Sequence, residues 1–217
     1  FFIFNDLKAG MDYAAGSDLA LAKRKNGEAI KTYRKASGDG LLYLYNGDLT
    51  HFSDAYWPTV NPRRLPGTTV DATQTRANAS GQSTNPAYNW VGGVSLGRYG
   101  AAGMQLDGWN NTLTAKKSWF MFEHEIACLG SGITSTDNRP IETTVENRLL
   151  STAGSGVFTV DGTAQPTALG WSGAFADPHW AHLAGRTSGA DIGWYFPGPT
   201  TLNALREART GAWSSIN

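Results

Sequence analysis

Ser118-Trp-Phe-Met-Phe-Glu-His-Glu-Ile-Ala-Cys-Leu129 decides the fold class. Ser118 to Phe122 reads as a strand, because aromatic side chains pack well on a pleated surface. Glu123, His124 and Glu125 make a short polar turn, and Ile126 to Leu129 is the returning strand. Outward from this hairpin the same signs recur. Gly100 to Leu106 reads as a strand, Asn110-Asn111 as a turn, and Ile141 to Leu149 as a strand with partial alternation. Residues 157–160, 168–171 and 193–196 add short strands between Gly, Pro and Asp turns. Leu41-Leu-Tyr-Leu-Tyr45 reads as a strand closed by a hairpin at Asn46-Gly47. Pro58, Pro62 and Pro66 mark an extended loop that cannot be a central strand, since proline donates no ladder hydrogen bond. Leu202 to Arg209 fits a helical face or a strand, and its neighbours favour the strand. Residues 71–88 are a polar surface loop, and residues 5–39 are the least strand-like stretch. Many short strands with frequent turn signals predict an all-β, antiparallel sandwich.

With 217 residues the chain can bury a real core in one large β domain. Its 26 Gly, 8 Trp, 8 Tyr and 9 Phe suit short strands, and also a carbohydrate surface, since sugars stack on flat apolar rings. The 18 basic and 18 acidic residues cancel, so no global field draws nucleic acid, an anionic membrane or an acidic polymer. Any basic patch is local, at Arg63-Arg64 or Lys116-Lys117, and such pairs usually read as solvated surface. The single cysteine, Cys128, excludes an intrachain disulfide and a cysteine-rich metal site. Its apolar neighbours predict a buried, inert thiol. Phe1-Phe-Ile-Phe4 and Gly211-Ala-Trp-Ser-Ser-Ile-Asn217 both read as ordered structure, which predicts a fragment of a larger domain.

No phosphate loop or dinucleotide fingerprint is visible. Gly93-Val-Ser-Leu-Gly97 matches the nucleophile-elbow string, but its flanks are polar and no helix pattern follows. Ser95 therefore reads as a strand edge and loop, with a serine hydrolase as the rival. Glu123, His124 and Glu125 offer three polar groups, yet strand neighbours alternate faces, so a solvated hairpin tip is favoured over a metal site. Trp180 and His182 share a strand face with His179 on the other; a core Trp beside a hydrogen-bonded His is favoured over a sugar platform. Asn26 and Glu28 adjoin Lys23-Arg-Lys25, and this cluster reads either as an exposed charged loop or as a contact for an acidic sugar.

Several strings together resemble the central region of polysaccharide lyase family 8, the hyaluronan, chondroitin AC and xanthan lyases. They are Gly38-Asp-Gly-Leu-Leu-Tyr-Leu-Tyr-Asn-Gly-Asp-Leu49 and Ser53-Asp-Ala-Tyr-Trp-Pro-Thr-Val-Asn-Pro-Arg-Arg-Leu-Pro-Gly-Thr-Thr-Val70. Lys116 to Ile133, Thr143-Thr-Val-Glu-Asn-Arg148, Trp194-Tyr-Phe-Pro197 and Arg209 to Asn217 continue the resemblance. It covers residues 36–217, and residues 1–35 diverge.

The resemblance implies an incomplete piece, residues 1–217, of a large β-sandwich of the supersandwich, galactose-mutarotase-like kind. It implies a parent whose catalytic α-helical toroid domain is absent here and would be the chain's partner. That parent would be secreted, need no cofactor or metal, and cleave an acidic polysaccharide (hyaluronan or chondroitin, then xanthan) by β-elimination beside a uronic acid. In the family this region supplies a Glu and, three residues later, an Asn. Asn26 resembles that Asn, but Lys23 stands where the Glu would be, which leaves Glu28 as the acidic candidate. Arg63 and Arg64 are the substrate-binding candidates. The isolated chain is expected to be inactive, and a noncatalytic carbohydrate-binding or structural sandwich is the alternative.

Overall fold

A computed structural model describes residues 2–3, 40–53, 55–73, 88, 90–108, 111–151 and 156–215. The chain divides into two compact units, one of Phe1–Tyr43, Asn61–Asn147 and Ile216–Asn217, the other of Leu44–Val60 and Arg148–Ser215. Every strand pairing among the described residues is antiparallel, as the sequence predicts.

The first unit holds β1 (Phe2–Ile3), β2 (Leu42–Tyr43), β3 (Thr69–Asp71), β4 (Val91–Ser95), β5 (Gly100–Asp107), β6 (Thr114–Met121), β7 (Ile126–Thr134) and β8 (Ile141–Thr143). β4 to β7 form a meander, while β1 pairs with β2 and β3 with β8. Alternation along β5 and β6 turns Met104, Leu106, Ala115 and Trp119 to one face. There they form a core with Leu113, flanked by Leu42, Ala102, Ile126 and Ile141. Glycine at 132, with φ of 58°, lies beside the register shift where β7 bulges against β6.

Lys117 breaks the apolar alternation. It sits on the core face opposite Met104 and is buried. Its ammonium donates to the Gly67 carbonyl and lies 5.7 Å from the Trp119 ring centroid, within cation–π range. The turn it reaches is itself fully tied. Thr68 N–H donates to Leu65 O (3.1 Å), Leu42 N–H to Pro66 O (2.8 Å), and Gly67 N–H to Thr144 O (2.8 Å). Only glycine suits position 67: φ is 80°, and a Cβ would lie 2.7 Å from that of Leu42.

The second unit holds α1 (Tyr56–Thr59), β9 (Phe158–Val160), β10 (Thr163–Ala164), β11 (Ser172–Ala176), β12 (Trp180–Leu183), β13 (Ile192–Tyr195) and β14 (Thr201–Leu205), with 3-10 turns at Leu49–Phe52 and Trp213–Ser215. One sheet runs β10-β9-β12-β13, and β11 pairs with β14 along five residues. Tyr45, Phe52, Tyr56 and Trp57 form an edge-to-face series, with successive centroids 5.3, 5.3 and 5.2 Å apart.

Several local expectations are corrected. Asn46-Gly47 closes no hairpin: the Asn46 side chain instead accepts from Asp48 N–H and donates to Ala190 O. The Ile141–Leu149 strand ends at Thr143. Residues 168–171 form a turn, with Trp171 N–H donating to Ala168 O, and the strand begins one residue later. Pro58 lies inside the short helix α1, not in extended chain. Cys128 is exposed, because β7 is the last strand of its sheet and its residues are mostly open to solvent. The Ser118–Leu129 hairpin and the strand at Gly100–Leu106 are as predicted, and the strand expected over Leu202–Arg209 runs from Thr201 to Leu205.

Replacing Lys117 with Met keeps the apolar stem and removes the ammonium, leaving the Gly67 carbonyl without that donor. We expect a stability loss of about 1–3 kcal/mol in chemical denaturation. An unchanged midpoint would mean that this contact does not hold the turn.

Candidate functional site

Arg63 and Arg64 open a short strip of paired charges in the first unit. Arg64 grips Glu142 with two nitrogens, at 2.9 and 3.0 Å, in the planar fork geometry that suits a carboxylate. Its own carbonyl accepts from Asn147 Nδ2 (2.7 Å). Glu142 stands on β8 opposite Val70 of β3, so strand pairing sets this grip. Next along the pair, Arg139 reaches Asp71 (2.5 Å) and Asp137 (3.2 Å). Burial pushes the Asp71 carboxyl up, but hydrogen bonds from Thr73 and the Arg139 contact outweigh it and hold it below its ordinary value. Arg63 is exposed; its N–H donates to Asn61 Oδ1 (3.1 Å) and its guanidinium to Ala72 O (3.5 Å). Of the two arginines, Arg64 grips a carboxylate, and Arg63 is the more exposed.

A denser polar centre lies in the second unit, around Asp48. Its carboxylate caps the Leu49–Phe52 turn, accepting from Thr50 N–H (2.9 Å) and Thr50 Oγ1 (2.5 Å). Arg186 donates to it from Nε (2.9 Å), and His51 Nε2 stands 3.5 Å away. The other His51 nitrogen faces Leu149 O at 3.2 Å. Arg148 donates to Leu44 O (2.9 Å) and covers the Phe52 ring at 5.2 Å. Burial alone would raise the Asp48 carboxyl, yet the Thr50 and Arg186 hydrogen bonds together bring it down to about 2. Burial, then the Arg148 charge, lower the His51 imidazole by more than Leu149 O and Asp48 raise it. The fold therefore holds an ionised Asp48 beside a neutral His51. Sequence reading missed this centre, although Asn46-Gly-Asp-Leu-Thr50 carries the capping signal that marks it.

Among the described residues no group of three or more His, Cys, Asp or Glu is placed to hold a metal ion, and no helix is long and apolar enough to cross a membrane. Ser95 ends the edge strand β4, as expected, and a turn follows it. Glu123, His124 and Glu125 are an exposed hairpin tip.

The family model described as polysaccharide lyase family 8, super-sandwich domain, matches residues 13–217. The chain belongs to that family. Xanthan lyase of Bacillus sp. (strain GL1) is 51% identical over 182 residues, 83% of this chain and 19% of its own length. Hyaluronate lyase of Thermasporomyces composti is 37% identical over 194 residues, 88% of this chain and 24% of its own. Among solved structures, Paenibacillus xanthan lyase aligns with a TM-score of 0.77 at 49% identity, covering 86% of this chain and 18% of that one. Streptomyces coelicolor A3 chondroitin AC lyase, solved with chondroitin sulphate, aligns with a TM-score of 0.65 at 35% identity, covering 86% and 23%. The chain thus spans about a fifth of the length of these polysaccharide lyases.

Within this family-8 chain, Asn26 and Glu28 lie outside the described residues, so their geometry adds nothing to their candidacy. Arg63 and Arg64 fall inside the most family-like string.

The Asp48 centre sets an acid response. Asp48 is depressed from 3.8 to about 2, so its contribution is complete above 3.8 and lost as pH falls towards 2. His51 is depressed from 6.5, so its contribution is present above 6.5 and is lost as pH falls below that value. Thermal melts should show the midpoint falling in two acid stages, and His51→Gln should abolish the upper one. A midpoint flat from pH 7 to pH 2 would refute both assignments.

Proposed function

We propose that this chain is the β-sandwich portion of a secreted lyase that cleaves a uronic-acid polysaccharide by β-elimination, and that alone it turns nothing over. Membership of polysaccharide lyase family 8 carries the reading. The chemistry asks for three acts. A donor neutralises the uronate carboxylate, which acidifies the C5 proton. A base removes that proton. The C4–O bond then breaks, an acid protonates the departing oxygen, and a C4–C5 double bond remains. Asn26 is the proposed carboxylate donor and Glu28 its acidic neighbour. Arg63, exposed beside Arg64, is proposed to meet the polymer's charge. The base and acid are assigned to the portion of the relatives that this chain does not span.

Hyaluronan and chondroitin are the substrates that sequence reading favours. The 51% identity to a xanthan lyase supports testing xanthan beside them. The noncatalytic alternative, a carbohydrate-binding sandwich, is supported by aromatic rings that the second unit turns outward.

The test follows absorbance of the unsaturated uronate on xanthan, hyaluronan and chondroitin. We expect no product from the 217-residue chain, and product from a polypeptide of the relatives' full length that carries it. Asn26→Ala in the long form should lower turnover roughly 10²–10³-fold, the usual effect of removing one charge-stabilising donor. Product from the short chain overturns the inactivity. Silence of the long form on all three polymers overturns the lyase reading.

A further inference from the structure

The sheet β10-β9-β12-β13 has two unlike faces. Val160, Ala181 and Ile192 are buried on one. Strand register places Thr159, Trp180, His182, Gly193 and Tyr195 on the other. On a half-buried antiparallel sheet the open face is ordinarily polar. Here it carries two large rings, Trp180 at 39% and Tyr195 at 73% exposure. The expected core tryptophan is therefore corrected: Trp180 lies on the solvent face, while the face it shares with the hydrogen-bonded His182 is as predicted.

Sheet stability does not account for the pair. Trp180 and Tyr195 stand directly opposite, with roots roughly 5 Å apart, where aromatic pairs normally touch and stabilise. No ring contact joins them, whereas Trp171 and Phe175 in the same unit do meet, at 6.4 Å. The Trp180 indole N–H and the Tyr195 hydroxyl also have no partner among the described residues. Each ring thus offers a bare face and a free polar edge. The floor beside them is flat, because a Cβ on Gly193 would meet only Ala181 O, at 3.7 Å.

The surroundings specify the occupant. His182 Nε2 lies 3.2 Å from Asp191, and His179 Nδ1 lies 3.9 Å from Asp161. Asp161 also accepts from Trp180 N–H at 3.0 Å. Two carboxylates flank the rings, each with an imidazole against it. They suit hydroxyl groups and disfavour an incoming carboxylate. The aliphatic side chains that would suit a protein partner are reduced on this face to the single methyl of Ala164, opposite Thr159.

We propose that Trp180 and Tyr195 form a stacking subsite for a neutral pyranose unit of the polysaccharide, with His182 and Asp191 bonding its hydroxyls. The flat C–H face of the sugar covers the rings, and the polar edges orient it. This rests on the reading that the chain handles polysaccharide, but it concerns the neutral sugar and not the uronate.

Affinity electrophoresis tests it, with the 217-residue chain run through gels containing hydroxyethyl cellulose, a neutral β-glucan, or xanthan. Both polymers should retard the chain. Trp180→Ala and Tyr195→Ala should each weaken retardation about tenfold, and Trp180→Phe, which keeps a ring, by less. Far-UV circular dichroism checks that each variant is folded. Equal retardation of folded Trp180→Ala and the parent chain overturns the proposal, as does no retardation by either polymer. Retardation by xanthan but not by the neutral glucan overturns it as well. If the long form makes no unsaturated uronate while the short chain still binds the glucan, the lyase reading fails and the subsite stands.

Discussion

A single ammonium resting on a single carbonyl organises the first unit. Lys117 occupies a position that alternation reserves for an apolar side chain, and the Gly67 carbonyl and the Trp119 ring help to receive its buried charge. The carbonyl is available because residues 65–68 form a tight turn, and the turn is possible because position 67 is glycine. From that turn, hydrogen bonds run to Leu42 and to Thr144, so the buried contact adds a polar tie from the meander to β2 and β8, whose Leu42 and Ile141 also flank the apolar core. The apolar cluster supplies the bulk of the driving force, and the polar contact fixes which segments meet over it.

The second unit solves the same problem with opposite charge. Asp48 is buried and ionised, and it is satisfied by a cap, a hydroxyl and an arginine fork rather than by one lysine. Its neighbour Asn46 secures Ala190, and Arg148 secures Leu44, so the residues around a short 3-10 turn fasten strands distant in sequence. Leaving a charge unpaired in such surroundings is costly, which makes these networks exacting about geometry. In the most family-like string, Arg64 belongs to this kind of arrangement, being committed to Glu142, while Arg63 beside it is the more exposed.

Much of the strand content was legible because aromatic and β-branched residues fall in short runs between turn residues. The Ser118–Leu129 hairpin is the clearest case. Failures came where a side chain replaced backbone pairing. Asn46-Gly47 has hairpin composition, but its amide bonds Asp48 and Ala190, and no local pattern announces a partner so far along the chain. Burial was harder to read than extension: Cys128 and Trp180 have apolar or aromatic character that suits a core, and both lie exposed. Periodicity gives the face of a strand, but only the neighbouring strands decide whether that face is covered. The chemistry-bearing residues Asn26 and Glu28 were legible solely through family resemblance, since their charged neighbourhood looks like any solvated loop.

The bulge at Gly132 has a bearing on self-association. Among the described residues β7 is a nine-residue edge strand without charge or proline, from Ile126 to Thr134, and such an edge is an open template for a strand from another molecule. The left-handed residue near its end disrupts the ladder and twists the strand away. Regular templating is thereby confined to the stretch before the bulge, too short to propagate a long flat ribbon. A conformation available to glycine shortens the edge where no lysine guards it.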